Sequence, residues 1–361
     1  MALTDIDAQR LGDSIGDKLG IRNLIINGAM NVAQRGTSGT ANGFNCIDRF
    51  GRDVNGGTGT FTDTQQTLTS GSPYDEGFRK FYRTASSSAS SAGSTSYLQV
   101  RYKAEAQDIA NSGWDYTDSS SFITLSFWVR ASVAQTYGFG VQTHDGTSYA
   151  YNKNFALSAN TWTKIEQRIP GNSNLQFDND ENIGLTIKFW PHLGSTYNGA
   201  TDDTWNTQAS NNLGSSIGTG WWTASSASFD LTGVQLEVGN TATPFEHRSF
   251  GDELVRCMRY FQKSYNYSDA PGSATSTGTA WLTVAQGGGR LAHTAYLKVK
   301  MRATPTLKTY DWSGNIDKIR TQAGDNQSAS AIYSSTNSVT VDVNASGIQE
   351  NIFQFTVETE L

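Results

Sequence analysis

The residues able to do chemistry are few and sit in polar, turn-like company. Asp178, Asp180 and Glu181 crowd one stretch, and Asp202 and Asp203 are adjacent in another. Paired carboxylates can act as acid and base across a glycosidic bond, and hard oxygen ligands of this kind also suit calcium. Both groups lie in Asn- and Asp-rich turns, where acids commonly do no more than solvate a loop. Asp178-Asn179-Asp180 also lacks the Gly and distal Glu of an EF-hand loop. Asp178 and Asp180 therefore stand as candidate ligands of a structural calcium and not as catalysts. The histidines, His144, His192, His247 and His293, are scattered without metal-ligand spacing and read as surface or hydrogen-bonded groups. No nucleophile elbow, phosphate-binding loop or dinucleotide-binding loop occurs in its required strand-turn-helix context. No enzyme activity and no organic cofactor is expected.

Aromatic side chains are the stronger lead. Trp128 falls on the strand face opposite the apolar set, and Trp190 likewise relative to Phe189. Trp205, Trp221 and Trp222 lie in segments rich in Gly, Ser and Asn. Flat rings stack on sugars while nearby Asn, Gln and Asp bond hydroxyls, so these five form the candidate ligand-binding set. The competing use of the same rings is a second core layer or a subunit interface.

The elements that must position them are strands. In Phe122–Arg130, Ile123, Leu125, Phe127 and Val129 alternate with Thr124, Ser126, Trp128 and Arg130, the period-two mark of a half-buried strand. Similar alternation runs through 137–141, 183–189 and 234–238, separated by turn clusters such as Asn55-Gly56-Gly57 and His144-Asp145-Gly146. Strands at this spacing without βα units predict a sandwich or jelly roll. One amphipathic helix is expected after Ser249, with Leu254, Cys257, Met258, Phe261 and Tyr265 on one face. A short helix is expected within residues 1–22, with Leu11, Ile15 and Leu19 as a stripe that needs a partner. The chain thus reads as all-β: an N-terminal helical anchor (1–22), a jelly-roll β-sandwich (23–247), a linking helix (248–267) and a smaller C-terminal β-sandwich (268–361).

Composition agrees. Charged residues make up only 17% of the 361, aromatics reach 11%, and 36 are Gly, a profile of packed strands and tight turns. A net charge of −6 lacks the basic footprint that nucleic acid requires. No apolar run is long enough for a membrane span, and no signal-peptide core is evident. Synthesis in the host cytoplasm with exit by lysis is the expectation. Cys46 and Cys257, far apart and in unlike contexts, read as free thiols, Cys257 as a small hydrophobe on the helix.

Three runs are less generic. Asn23-Leu-Ile-Ile-Asn27-Gly28-Ala-Met30-Asn31-Val-Ala-Gln34-Arg35-Gly36 resembles the opening of tail-fibre-like and other virion proteins of tailed phages. Leu231–Glu246, continuing into Glu253–Phe261, looks like the closing strand and following helix of that group, with Gly233 and Gly239 bracketing the strand. Met301-Arg302-Ala-Thr-Pro305-Thr resembles their C-terminal module, and 125–130 with 160–164 is similar to jelly-roll carbohydrate-binding modules. The resemblance implies a structural or adhesive virion component of the tail-fibre or receptor-binding type. Its implied partners are host surface polysaccharide, other virion proteins through the N-terminal segment, and copies of itself, a trimer by family analogy. A tail location is favoured over the capsid surface. A capsid decoration or head-fibre protein without receptor duty is the alternative, with a carbohydrate-active enzyme a distant third. Fold likeness does not choose among these.

Overall fold

The structure, a computed structural model, describes residues 22–283, 289–345 and 350–361. The expected N-terminal helix lies outside the described residues. In chain order the first domain contains β1 (Ser38–Gly39), β2 (Phe50–Asn55), β3 (Phe61–Thr67), β4 (Lys80–Ser86), β5 (Tyr97–Glu105) and β6 (Phe122–Ala131). They are followed by β7 (Gln135–Thr143), β8 (Tyr149–Leu157), β9 (Thr163–Pro170), β10 (Ile183–Leu193), β11 (Trp205–Thr207) and β12 (Ala227–Val238). They pair as two antiparallel six-stranded sheets, β1-β3-β4-β12-β6-β9 and β11-β8-β7-β10-β5-β2.

Strand alternation fills the space between the sheets. Ile123, Leu125, Phe127 and Val129 of β6 are essentially unexposed and meet Leu185, Ile187 and Phe189 of β10. The Phe127 and Phe189 rings lie 4.9 Å apart, edge to face, a favoured geometry for aromatic quadrupoles. One charged pair also bridges the sheets: Arg52 of β2 donates to Asp63 of β3 at 3.0 Å, both side chains only 1% exposed.

Gly233 lies inside β12 and does not bracket it. It occupies a bulge between Thr232 and Gln235 with φ +64°, a backbone setting that favours glycine. A Cβ there would stand 2.7 Å from the Phe78 ring.

The linking helix is shorter than its apolar spacing suggests, spanning Phe250–Met258 instead of reaching Tyr265. Ser249 caps its start, its hydroxyl accepting from the Asp252 amide at 3.1 Å. Beyond Met258 the backbone transfers its hydrogen bonding to the second domain. There Phe261–Lys263 forms β13, paired with β21 (Glu350–Glu358). Phe261 is buried as part of a strand, so the helical spacing that includes it is coincidental. Cys257 is fully buried and both cysteines are free.

The C-terminal domain completes an all-β chain. β14 (Ala280–Thr283), β16 (Thr306–Tyr310) and β17 (Ile319–Thr321) also pair with β21, and β18 (Gly324–Gln327) extends β17. A separate sheet runs β15 (Gly289–Tyr296), β20 (Ser338–Ala345), β19 (Ala331–Ser334). Its core is small: Met301, Ile319, Val339, Val341, Val343, Phe353, Phe355 and Val357.

The two domains are locked by buried charge. Glu105 at the end of β5 accepts from Arg259 Nε and Nη2, each at 2.7 Å, and from the Tyr260 hydroxyl at 2.5 Å. Arg49, fully buried, pairs with Glu360 and lies 3.4 Å over the Tyr260 ring. Asn27 accepts from the Val32 amide and donates to the Val32 and Asp48 carbonyls, while its own amide donates to Glu253. Gln34 donates to the Phe261 carbonyl at 2.9 Å, and Arg302 donates to the carbonyls of Thr359 and Glu181. Residues from the three distinctive sequence runs therefore converge on this joint.

Candidate functional site

Four of the five candidate tryptophans are covered. Trp221 and Trp222, in the helical turn Gly220–Thr223, plug one end of the sandwich at 0% and 1% exposure. Trp222 stacks on Phe61 and on His192, the latter at 4.4 Å, and its Nε1 donates to the Ser91 carbonyl. Trp128 does face outward from β6, but a small second core with Leu68, Phe78 and Phe81 overlies it. Its Nε1 donates to Glu76 at 3.0 Å. Trp190 faces outward from β10 and is buried beneath the loop 194–219, with Gly214 against its indole. Trp205 is half-buried at a sheet edge, donating to the Pro170 carbonyl at 2.8 Å. The expectation of open indole faces is thus corrected at Trp128, Trp190, Trp221 and Trp222. Strand alternation says which face a ring occupies, but not which loop folds over it.

Asp178 and Asp180, the candidate calcium ligands, make hydrogen bonds within their own turn. Asp180 spends both oxygens on Asn182, and Asp178 accepts from Gln176 at 3.0 Å. Among the described residues no group of three or more His, Cys, Asp or Glu is placed to hold a metal, and the hydrogen bonds of Asp180 to Asn182 are those of a turn.

Away from the loop 194–219, the outer face of the second sheet stays partly open at β2 and β5, where the Asp53 and Arg101 side chains are 27% and 24% exposed. Alternation in β5 sends Leu98, Val100 and Tyr102 into the core, leaving Tyr97, Gln99, Arg101 and Lys103 outward. Asp53 on β2 lies opposite Gln99, and Lys188 on β10 lies opposite Arg101. Asp53 Oδ2 gathers three donors: Gln99 Nε2 at 3.1 Å, Arg101 Nη1 at 3.2 Å and the Tyr97 hydroxyl at 3.4 Å. Burial, then the Asp53 carboxylate, raises the Tyr97 phenol above its usual value, so its hydroxyl stays protonated. Tyr197, reaching over from the 194–219 loop, sets its ring 5.7 Å from that of Tyr97 at 77°. Both tyrosines are half-buried.

Toward the middle of the face, β7 contributes Gly138 and Gly140, and the space their side chains would take is filled by Asn154 and Ile217 over the first and by Asn152 over the second. A Cβ on Gly140 would stand 2.6 Å from Asn152 Oδ1. Several polar atoms here are buried without a hydrogen-bond partner among the described residues: Gln99 Oε1, Arg101 Nε, Trp190 Nε1 and both side-chain atoms of Asn152. The face offers ring edges, a carboxylate, amides and cations. That is recognition chemistry for a hydroxyl-rich ligand, with no nucleophile-base pair.

Sequence reasoning missed Asp53, Tyr97, Gln99, Arg101 and Lys188. The signal was present in the alternation of 97–104, where each outward position is polar or aromatic.

No family model and no curated protein sequence matches the chain. Distant likeness to solved structures exists. A family 11 carbohydrate-binding module from Clostridium thermocellum, in complex with a β-1,3-1,4-mixed-linked tetrasaccharide, shares 12% identity. That match covers 58% of this chain and 98% of the other at a TM-score of 0.26. A putative sugar binding protein from Bacteroides thetaiotaomicron shares 11% identity over 60% of this chain and 100% of the other, with a TM-score of 0.28. At these scores the likeness concerns strand arrangement and carries nothing about this chain's ligand.

Proposed function

We propose that this chain is a non-catalytic adhesive protein that holds polysaccharide on the outer face of its second sheet. The observation that carries the proposal is the Asp53 cluster with Tyr97, Gln99 and Arg101, flanked by the Tyr97–Tyr197 ring pair. Rings stack on the apolar faces of sugars while the carboxylate and amides bond their hydroxyls. The setting follows the sequence resemblance: a tail-fibre or receptor-binding component of a tailed-phage particle, contacting host surface glycan. Self-association of the chain, as a trimer by the same resemblance, supports this role, because several weak sites on one oligomer add into firm attachment.

The test uses the intact protein against whole host cells and an extracted surface polysaccharide. Tyr97→Ala and Asp53→Ala lower retention by about tenfold or more, the loss expected when a contact worth roughly 1.4 kcal/mol is removed. Tyr97→Ala leaves the melting temperature nearly unchanged, while Asp53→Ala lowers it modestly, because Gln99 and Arg101 lose their acceptor. Retention equal to the parent in both variants overturns the reading and moves a capsid-decoration role without receptor duty ahead.

A further inference from the structure

The candidate face carries more positive charge than a neutral glycan needs. Arg101, Lys103 and Lys188 occupy neighbouring outward positions on β5 and β10, in a chain whose net charge is −6. Carboxylates lie nearby as well, Asp53 on β2, Glu105 at the end of β5, and Glu360, whose charge acts on Lys103. Asp53 is engaged by Arg101, and Glu105 is fully engaged by Arg259 and Tyr260. Lys188 has no carboxylate within ion-pair distance among the described residues. Its ammonium donates to the Gln142 amide oxygen and lies 5.8 Å from the Trp190 ring centroid. Lys103 is already engaged, its ammonium donating to the main-chain oxygen of Leu361 at 2.5 Å. Among the described residues the buried Nε of Arg101 has no hydrogen-bond partner, nor has the Oε1 of Gln99, which is only 7% exposed.

We infer that the ligand of this face is an anionic polysaccharide, a chain bearing uronate or similar acidic groups that settle among Arg101, Lys103 and Lys188. The inference rests on the glycan-binding reading above and adds the charge class. An acid group bridging Arg101 and Lys188 forms charge-assisted hydrogen bonds, which are shorter and stronger than neutral ones. The ring pair and the Asp53 cluster then hold the adjoining sugar. Burial, followed by the neighbouring Arg101, pulls both lysines down to about 8.

The experiment measures retention of the full chain on immobilised alginate, a uronate polymer, and on dextran, a neutral one, with polyglutamate as a non-sugar polyanion. The parent binds alginate at least about tenfold more tightly than dextran or polyglutamate. The double variant Lys103→Gln/Lys188→Gln loses that preference, Lys188→Arg keeps it, and raised salt weakens alginate binding only in chains with the cations intact. Near-ultraviolet circular dichroism confirms the fold of each variant. Equal alginate binding by the double variant overturns the inference, as does equal binding of polyglutamate. If dextran or another neutral glycan binds in a Tyr97-dependent way while the lysines are indifferent, only the charge class fails. If neither polymer binds this face in any chain, the glycan reading fails with it.

Discussion

Trp222 lies 1% exposed between Phe61 and His192 in the sandwich, whereas Trp281 in the C-terminal domain stands 53% exposed beside Trp312. The contrast follows from the space each domain encloses. Two six-stranded sheets hold a core deep enough for indoles at its open end. The C-terminal domain closes over a short list of Val, Phe, Ile and Met, and Trp281, Tyr296 and Tyr333 are left at the surface. Aromatic content therefore locates neither core nor ligand site by itself. What decides is whether a second layer of chain covers the ring.

The largest expected effect tests that contrast directly. Trp222→Ala removes a fully packed indole, its hydrogen bond to Ser91 and the stack on His192, and should cost about 3–5 kcal/mol in chemical denaturation. A loss below about 1 kcal/mol means that the ring is not part of the core and returns it to the set of candidate sugar platforms.

How much of this was legible in the sequence depends on the range of the interaction. The alternation of 122–130 and 183–189 is local, and it correctly gave the sheets and the faces of Trp128 and Trp190. The cover over those faces comes from 68–81 and from the loop 194–219, segments with no periodic signal linking them to the strands they cap. Phe261 fits a helical stripe on paper, yet the pairing of β13 with β21 joins residues about ninety-five apart, Gln262 with Val357 for one, and overrides it. The outward set Tyr97, Gln99 and Arg101 was readable from alternation alone, but a search centred on tryptophan passes it by.

The joint between the domains gives a second, intermediate test. Glu105 is wholly buried, and burial pushes its carboxyl up, but the hydrogen bonds from Arg259 and then Tyr260 outweigh this and hold it below its ordinary value. A depressed folded-state value means that the unfolded chain binds the proton more readily. The stabilisation is therefore complete above the unfolded value near 4.3 and is lost as pH falls through the folded one. Glu105→Gln should lower stability by about 2 kcal/mol at neutral pH, since one partner of a mostly buried pair is neutralised. It should also flatten the loss of melting temperature between about pH 5 and pH 3 relative to the parent. An acid limb of unchanged slope means that this contact does not couple the domains.

The smallest effect on stability is expected where the sandwich and the C-terminal domain differ most. Trp281 packs only one side, its Nε1 bonding Thr283 at 2.8 Å and its ring set 5.5 Å from Trp312. Tyr296 is 82% exposed on the outer side of β15. Truncating either removes little buried area, so Trp281→Ala and Tyr296→Ala should each change stability by less than about 1 kcal/mol. Exposed aromatics that do little for the fold of a single chain are the residues a protein interface enriches. If the proposed oligomer forms through this domain, the double variant should sediment at lower mass than the parent at micromolar concentration while melting almost as the parent does. A parent that is already monomeric removes the oligomer from the proposed function. A parent oligomer that the double variant leaves intact places the subunit contact elsewhere, and then the exposed face of the linking helix, with Phe250 and Val255 at 47% and 53% exposure, is the next surface to change.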